Sequence, residues 1–353
     1  MPELTDIFTP DAFGVYALTE AIQKIPPQKL TIADLGIFRE MPIATTLVAI
    51  EEDRGVLTLV PTTPRGGPGI PAQSGKRVLT SFKVPHIQLD DTVHADDVIN
   101  IRAFGASGVS TEADVVGRKL ASMRRSVDFT NEFLRFGALQ GKVLYPDNSY
   151  EAALDLYTSF GMTNQATNQT NVDFVTGTAT TDIAGTVIPQ IFDAIEAALG
   201  GAPYSGVVAL CGRTFFRKLI GHAMIKGLYL QQQQQYNLAA VGRAPGDVGR
   251  MIFTLNGVTF IEYYNIAGGS QGIGNDGLFQ VAAEARAFPV GVDIYHTYYA
   301  PADISEAIGT LGQPVYAYTL PHADKKGVGL VVQSNPLNIC LRPKALIRLH
   351  TSN

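Results

Sequence analysis

Apolar residues recur at helical spacing over one long stretch of the chain. The stripe consists of Val116, Leu120, Met123, Val127, Leu134 and Ala138. Just before it, Thr111 and Asp114 have the spacing of a capping box. A helix from Thr111 to Gln140 would be ~45 Å long at ~1.5 Å per residue, which is longer than an average globular helix. The pattern therefore predicts one long structural helix, which we call the spine helix.

Strand patterns on either side of a turn-rich segment predict a long hairpin over residues 43–90. TTLVAIEED and GVLTLV form the ascending side, and RVLTSFKVPHIQL forms the descending side. Pro61–Lys76 between them contains four Pro and four Gly, which is typical of a loop tip. Val56–Val60 is apolar on both faces, and an isolated two-stranded hairpin is marginally stable. We therefore expect another surface to cover the hairpin; the alternative is that it folds back on its own domain.

Shorter helices and strands are predicted on both sides of the spine helix. Before it, Asp11–Ile25 has the pattern of a short amphipathic helix. After it, residues 141–161 read as two strands around a Pro-Asp-Asn-Ser turn, and residues 158–182 lack a core pattern. The later elements are a helix closed by Gly200-Gly201, a strand VVALCG, a helix Arg213–Lys226, a hairpin across Asn256-Gly257, a strand GLFQVAAEA, and strands VYAYTL, GVGLVVQS and LNICLRPKALIRL. No internal repeat is visible.

The composition favours a protein that associates with other chains. The 353 residues are 46% hydrophobic but only 17% charged, against roughly 25% in typical soluble domains. Such a chain has little charge with which to cover an isolated monomer, so we expect an obligate oligomer.

A formal net charge of −5 argues against a dedicated nucleic-acid binder, although weak local contact remains open. We interpret the four cations of the first half of the spine helix as a solvated face that pairs with acids, in preference to a phosphate contact; they are Arg118, Lys119, Arg124 and Arg125.

The spacing of the cysteines and histidines argues against a metal site, and the length of the apolar runs argues against a membrane span. Cys211 and Cys340 are far apart and form no C-x-x-C, which predicts two buried thiols. The six histidines never fall at metal-ligand spacing. The amino terminus, MPELTDIFTPD, lacks the features of a signal peptide, and no stretch approaches the ~18 apolar residues of a membrane span. We expect no cofactor, no metal and no membrane.

One glycine-rich stretch, Gly268–Gly274, invites a catalytic interpretation. GGSQGIG matches both the phosphate loop of short-chain dehydrogenases and the G-x-S-x-G nucleophile elbow. Both need a strand before the loop and a helix after it, whereas NDGLFQVAAEA reads as a turn and a strand. No Tyr-x-x-x-Lys follows to supply a dehydrogenase acid. We therefore interpret the stretch as a flexible loop, and a dehydrogenase or a hydrolase as the disfavoured alternatives.

Three stretches, taken with the order of the elements, resemble a known family. They are PRGGPGIPAQSGKRVLTSFKVPHIQ (Pro64–Gln88), QGKVLYPDNSYEAALD (Gln140–Asp155) and VQSNPLNICLRPKALIRL (Val332–Leu349). Together with the terminal arm, the long hairpin, the spine helix and a mixed insertion in a β-rich region, they resemble a tailed-phage major capsid protein of the Hong Kong 97 capsid fold. The resemblance is closer to the lambda-type capsid protein E family.

This resemblance implies an α+β fold in five parts. They are an N-terminal arm (1–42), an extended loop hairpin (43–90), a peripheral domain (91–181) with the spine helix at about 111–140, an inserted axial domain (182–312), and return strands of the peripheral domain (313–353). In such proteins the extended loop lies over the neighbouring subunit. The resemblance thus implies inter-subunit contacts at the loop tip, formed by Pro64, Arg65, Gly66, Gly67 and Lys76.

The same resemblance implies a structural function and no enzyme activity. The protein would self-assemble as hexamers and pentamers into the icosahedral shell around the genome of a tailed double-stranded DNA phage. It would assemble in the host cytoplasm and reside in the virion, with a scaffolding protein, a portal and a decoration protein as partners and weak non-specific contact with packaged DNA. The alternatives are an encapsulin-type nanocompartment on the same fold and, from another class, an oxidoreductase built on Gly268–Gly274.

Overall fold

The structure, a computed structural model, describes residues 15–28, 30–53, 77–94, 112–144, 152–163, 170–173, 182–227, 242–243, 251–263, 281–321 and 327–350. The apolar segment Val56–Val60, the predicted loop tip Pro61–Lys76 and the stretch Gly268–Gly274 lie outside these residues. The architecture is therefore described without them.

Helices occupy both the amino-terminal half and the middle of the described chain. They are α1 (Val15–Lys24), α2 (Thr31–Leu35), α3 (Glu112–Leu139), α4 (Leu156–Ser159), α5 (Ile188–Leu199) and α6 (Arg213–Gly221). A π-helical turn, Ile183–Val187, precedes α5, and two 3-10 turns are Ser305–Ala307 and Pro343–Ala345. Helix α3 is the spine helix, and its described bounds agree with the prediction from the apolar stripe.

Strands are distributed along the whole described chain. They are β1 (Arg39–Pro42), β2 (Leu47–Asp53), β3 (Arg77–Lys83), β4 (Ile87–His94), β5 (Lys142–Leu144), β6 (Ala152–Asp155), β7 (Thr170–Asp173), β8 (Gly206–Cys211), β9 (Gly242–Arg243), β10 (Met251–Leu255), β11 (Val258–Glu262), β12 (Glu284–Val290), β13 (Tyr295–Tyr299), β14 (Tyr316–Pro321), β15 (Gly327–Ser334), β16 (Pro336–Cys340) and β17 (Ile347–His350).

These strands form several separate sheets. The largest has seven strands in the order β7-β17-β12-β8-β11-β10-β9, and two three-stranded sheets have the orders β1-β13-β16 and β14-β15-β4. Strands β2 and β3 pair as one two-stranded sheet, and β5 and β6 as another. Helices and sheets that pack beside each other without regular alternation confirm the α+β class.

The spine helix joins two hydrophobic cores. The first half of α3 packs Val116, Leu120 and Met123 into a cluster with α1 and the β14-β15-β4 sheet. Its second half places Phe136 and Leu139, both fully buried, in the main core. At this end the helix approaches β5 closely, because a Cβ on Gly137 would lie 2.5 Å from the side chain of Leu144. The helix therefore fixes the position of both cores relative to each other.

Two local predictions are confirmed by backbone geometry. The β10–β11 hairpin turns at Asn256 (φ 46°) and Gly257 (φ 85°), and both angles are those of the mirror-image turn that an Asn-Gly pair favours. Helix α5 ends at Gly200 (φ 60°), whose N–H donates to the carbonyl of Glu196. These signals are short-range, so the sequence alone carries them.

Four sequence predictions need correction. The predicted helix Arg213–Lys226 breaks at His222, which has extended backbone angles, and resumes over 223–227. Of the predicted strand GLFQVAAEA, residues 277–280 lie outside the described residues, 281–283 are not in a strand, and strand β12 starts at Glu284 after a turn at 282–283. Residues 156–159 form helix α4, which Asp155 caps by accepting from the N–H of Tyr157, and do not extend a strand. Residues 170–173, which showed no core pattern, pair with β17.

Strand pairing crosses the predicted division at residue 312. Strand β17, from the segment predicted to return to the peripheral domain, lies in the same sheet as β8, β11 and β12. Strand β13, from the segment predicted to be axial, pairs with β16 and with β1. Helix α1, in the predicted terminal arm, packs on its own chain: the hydroxyl of Thr19 donates to the carbonyl of Ala317 and accepts from its N–H.

Candidate functional site

The root of the predicted hairpin is a two-stranded sheet. Strands β2 and β3 pair antiparallel from Leu47↔Lys83 to Asp53↔Arg77. Within the described ranges neither strand pairs with a third. A two-stranded sheet leaves its backbone edges free for other partners and is marginally stable by itself. The root therefore depends on what its faces contact.

One face of this root is anchored in the main core. Val48, Ile50 and Phe82 are buried, and the Phe82 ring lies 5.9 Å from the ring of Phe160. The hydroxyl of Thr80 also donates to the carbonyl of Ser159 at 3.1 Å. Alternate residues point outward, as the period of a strand requires. The base of the predicted hairpin is thus fixed to the main core of its own subunit.

The opposite face of the root exposes apolar surface. Leu47 is 59% exposed although it directly precedes buried Val48. The predicted contact residues at the tip, Pro64, Arg65, Gly66, Gly67 and Lys76, lie outside the described residues. The structure therefore describes β2 and β3 at the base of the predicted hairpin, and the contacts predicted at its tip remain a prediction.

The descending side of the hairpin is not one continuous strand, which corrects the prediction. Strand β3 ends at Lys83, and β4 starts at Ile87 in another sheet. There β4 pairs antiparallel with β15, from Ile87↔Ser334 to His94↔Gly327. Val84-Pro85-His86 makes the break, and Pro85 cannot donate to a strand ladder. The hairpin is consequently shorter at its base than the predicted range 43–90.

A network of polar side chains surrounds the turn after β15, in which Gln333, Ser334 and Asn335 are buried and His86 is exposed. His86 Nδ1 lies 3.0 Å from the side-chain oxygen of Asn335 and 3.1 Å from the side-chain nitrogen of Gln333. Asn335 also donates to the carbonyl of Pro301 at 2.7 Å, and Ser334 donates to the carbonyl of Pro314. The network joins β4, β15 and the segment 301–315. It was missed from the sequence because its members are distant in the chain.

The segment 301–315, held by this network, presents a second exposed apolar feature. Ile308 is 81% exposed and Leu311 is 61% exposed. Ala302 and Ala307 of the same segment are buried in a small cluster with Tyr316. No periodicity in the sequence singles out Ile308 and Leu311.

The amino-terminal segment is tied along the spine helix by carboxylates. Glu132, 1% exposed, accepts from the backbone N–H of Ile32 at 2.8 Å and of Ala33 at 3.1 Å. One helical turn earlier, Asp128 accepts from the N–H of Gln28 at 3.2 Å. Side chains four residues apart lie on one helix face, so Asp128 and Glu132 both bind the backbone of the segment that runs along this face.

A groove with a volume of about 290 Å³ lies between this segment and the helix. Arg135 stands at one side, with its guanidinium 5.6 Å from the Phe38 ring centre and 3.4 Å from Glu40. Further lining residues include Pro27, Leu30, Val127, Asn131, Tyr299 and Val315. The carboxylates of the groove are already engaged with Arg124, Arg135 or backbone N–H groups. This leaves a mixed groove without the convergent catalytic groups of an active site.

Among the described contacts, at least two of the four cations of the spine helix pair with acids, as interpreted from the sequence. Lys119 lies 3.3 Å from Asp91, and Arg124 lies 2.9 Å from Asp128. Arg125 Nε donates to the carbonyl of Ala121. The geometry therefore favours the acid-pairing interpretation over a phosphate contact for Lys119 and Arg124.

A buried charge cluster lies where β12 meets β17. Arg348 contacts Glu284 with two nitrogens, and Arg286 lies 3.6 Å from the same carboxylate. Burial lowers the pKa of Arg286 to about 10. Burial, together with Arg286 and Arg348, lowers the pKa of Lys142 despite Asp155 nearby. Two guanidinium groups, those of Arg286 and Arg348, share the single carboxylate of Glu284, so this group of three side chains has an excess positive charge.

Neither thiol is placed for chemistry. Cys211 and Cys340 are both buried and free, as predicted. Burial raises the pKa of Cys211 well above its ordinary value and that of Cys340 to about 12. Over the described ranges, no group of three His, Cys, Asp or Glu side chains could hold a metal ion. The described part of the chain also contains no helix long and apolar enough to span a membrane.

The matches to known proteins extend over nearly the whole chain. Residues 14–351 match the family model described as phage major capsid protein E. The major capsid protein of Pseudomonas phage KPP10 is 31% identical over 345 residues, which are 94% of this chain and 95% of that protein. The major capsid protein of Salmonella phage Felix O1 is 26% identical over 357 residues, 95% of each chain.

A solved structure with a similar fold is a phage-related protein from Bordetella bronchiseptica RB50. Its TM-score is 0.52 at 12% identity, and the alignment covers 96% of this chain and 97% of that chain. At this identity the similarity concerns the fold.

Proposed function

Because the chain belongs to the phage major capsid protein E family, we propose that its extended hairpin holds neighbouring copies together in the shell. The protein is a bacteriophage major capsid protein of the Hong Kong 97 fold. It is a structural component of the virion capsid and forms the shell by self-association. The encapsulin and oxidoreductase alternatives are not supported by this family membership.

The two-stranded hairpin root is the observation that carries the proposal. Its inner face is packed into the subunit through Val48 and Phe82, whereas Leu47 on the other side is exposed. Strands with no third partner in the described residues, joined by a proline- and glycine-rich segment, suit an extension that pairs with something outside its own subunit. We propose that this partner is the neighbouring copy.

The tip residues are proposed to make that contact. Pro64, Gly66 and Gly67 allow a turn that lies flat on another surface, and the guanidinium of Arg65 can bind an acidic group across the interface. Lys76 offers a second cation on the descending side.

Further assembly partners follow from the same premise as proposals. The axial domain of residues 182–312 would meet its copies in hexamers and pentamers. A scaffolding protein, a portal and a decoration protein would complete assembly in the host cytoplasm, with only weak non-specific contact to packaged DNA. A net charge of −5 supports weak DNA contact, because phosphate attraction depends on many Lys and Arg side chains. The proposal includes no catalytic activity and no cofactor.

The test uses two variants that separate the length of the tip from the effect of its side chains. Replacing residues 61–76 by Asn-Gly shortens the hairpin. Replacing them by a Gly-Ser segment of equal length keeps the length but removes the side chains. Circular dichroism should show a folded subunit for both, since loop tips contribute little to their own core. Sedimentation should show loss of shells for the Asn-Gly variant and weakened assembly for the Gly-Ser variant. Shells of normal size and heat resistance from the Asn-Gly variant would refute the cross-subunit role.

A further inference from the structure

We infer that residues 304–312, which we call the 304–312 loop, form a second contact between copies of this chain. The inference rests on the proposed function, because only a shell built of touching copies supplies the partner. It concerns a part of the protein separate from the hairpin tip.

The loop exposes large apolar side chains that the described part of its own subunit does not bury. Ile308 is 81% exposed and Leu311 is 61% exposed. Single exposed apolar residues are common, but here two large ones lie three positions apart in one short loop. Ala307 of the same loop and the neighbouring Tyr316 are buried, so the loop has both buried and exposed apolar side chains.

The loop is held in place by its own hydrogen bonds. The Thr310 N–H and hydroxyl both donate to the carbonyl of Ala307, at 3.2 and 2.8 Å. The Tyr316 hydroxyl accepts from the N–H of Gln313 at 2.9 Å and lies 3.4 Å from the carbonyl of Leu311. A loop already fixed in one conformation loses little entropy on binding, which favours a preformed contact.

Its position places it next to the hairpin. The N–H of Gly312 donates to the carbonyl of Ile43 at 2.9 Å, four residues before exposed Leu47. A Cβ on Gly312 would lie only 2.0 Å from the carbonyl oxygen of Tyr299, so the loop sits directly on the backbone. The loop therefore lies beside the segment that leads into β2, the first strand of the hairpin root.

A second copy of the chain is the occupant that fits. Stable interfaces bury ~800 Å² on each partner, which is far more than two side chains supply. The loop must consequently extend a larger contact, and the adjoining hairpin provides one. Residues 301–315 include Asp303 and Glu306 but no cation, so the opposing surface should be apolar with a neutral or basic rim.

The experiment compares Ile308→Ser/Leu311→Ser with Leu320→Ser, a matched control that is 52% exposed on β14. All variants should remain folded, with unchanged urea midpoints, because exposed positions contribute little to folding. The double variant should need about tenfold more protein to assemble in sedimentation, whereas the control should assemble like the wild type. Ile308→Leu, which keeps the apolar surface, should assemble normally.

The outcomes separate this inference from the proposed function. If the wild type builds no shells, the proposed function fails, and this inference fails with it. If the wild type assembles and the double variant assembles equally well, only the role of the 304–312 loop is overturned. An equal defect in Leu320→Ser would also overturn it, because the effect would then follow from any exposed leucine.

Discussion

Removing the ring of Phe82 should separate folding from assembly at the hairpin root. Phe82 is 2% exposed and contacts Phe160, so Phe82→Ala creates a cavity in the main core. Such truncations cost about 3–5 kcal/mol. Leu47→Ala, on the exposed face of the same root, should change the free energy of unfolding by less than about 0.5 kcal/mol. It should instead weaken assembly, because its apolar surface is free to meet a neighbour.

Urea unfolding of unassembled subunits, followed by circular dichroism, measures the first effect, and sedimentation velocity measures the second. Whole domains are stable by only about 5–15 kcal/mol, so the experiment also includes Phe82→Leu, which should cost about 1–1.5 kcal/mol and still fold. A loss below about 1 kcal/mol for Phe82→Ala would refute the reasoning, because the root would then not be anchored in the core. Equal unfolding losses for Leu47→Ala and Phe82→Ala would contradict the assignment of the two faces.

Two further predictions concern groups inside the subunit. Glu132→Ala should lower the free energy of unfolding by about 3–5 kcal/mol, since it leaves the buried N–H of Ile32 and the partly buried N–H of Ala33 without their charged acceptor. Glu132→Gln should lower it by about 1–2 kcal/mol. Urea unfolding would contradict this if both variants matched the wild type. Cys211 and Cys340 should resist a thiol reagent at pH 8 and both react after unfolding, because burial raises both pKa values and the thiolate is the nucleophile. Rapid labelling of the folded protein would show that one of these thiols is accessible.

The sequence predicted those helices and turns that depend only on residues close together in the chain. The spine helix follows from its apolar stripe, and the β10–β11 hairpin follows from Asn256-Gly257. The break of the hairpin at Pro85 was missed because it depends on β15, some 240 residues further along the chain. The sequence does not show that residues 77–83 pair with β2 whereas residues 87–94 pair with β15, because this depends on the whole fold.

The candidate contact surface was predictable only in part. Proline and glycine frequency marks the loop tip, and the low charge content indicates association. The exposure of Ile308 and Leu311 could not be predicted, because the burial of an apolar loop residue depends on which distant residues the fold places around it. The network of His86, Gln333 and Asn335 that positions their segment is likewise assembled from distant parts of the chain.

Electron cryomicroscopy of the purified, assembled protein tests the central claim most directly. We predict closed icosahedral shells in which the hairpin that leaves each subunit at Leu47–Asp53 and Arg77–Lys83 lies on a neighbouring copy. A stable 37.9 kDa monomer under all conditions would contradict the shell-forming function, and shells in which each hairpin folds back on its own subunit would contradict the proposed contact.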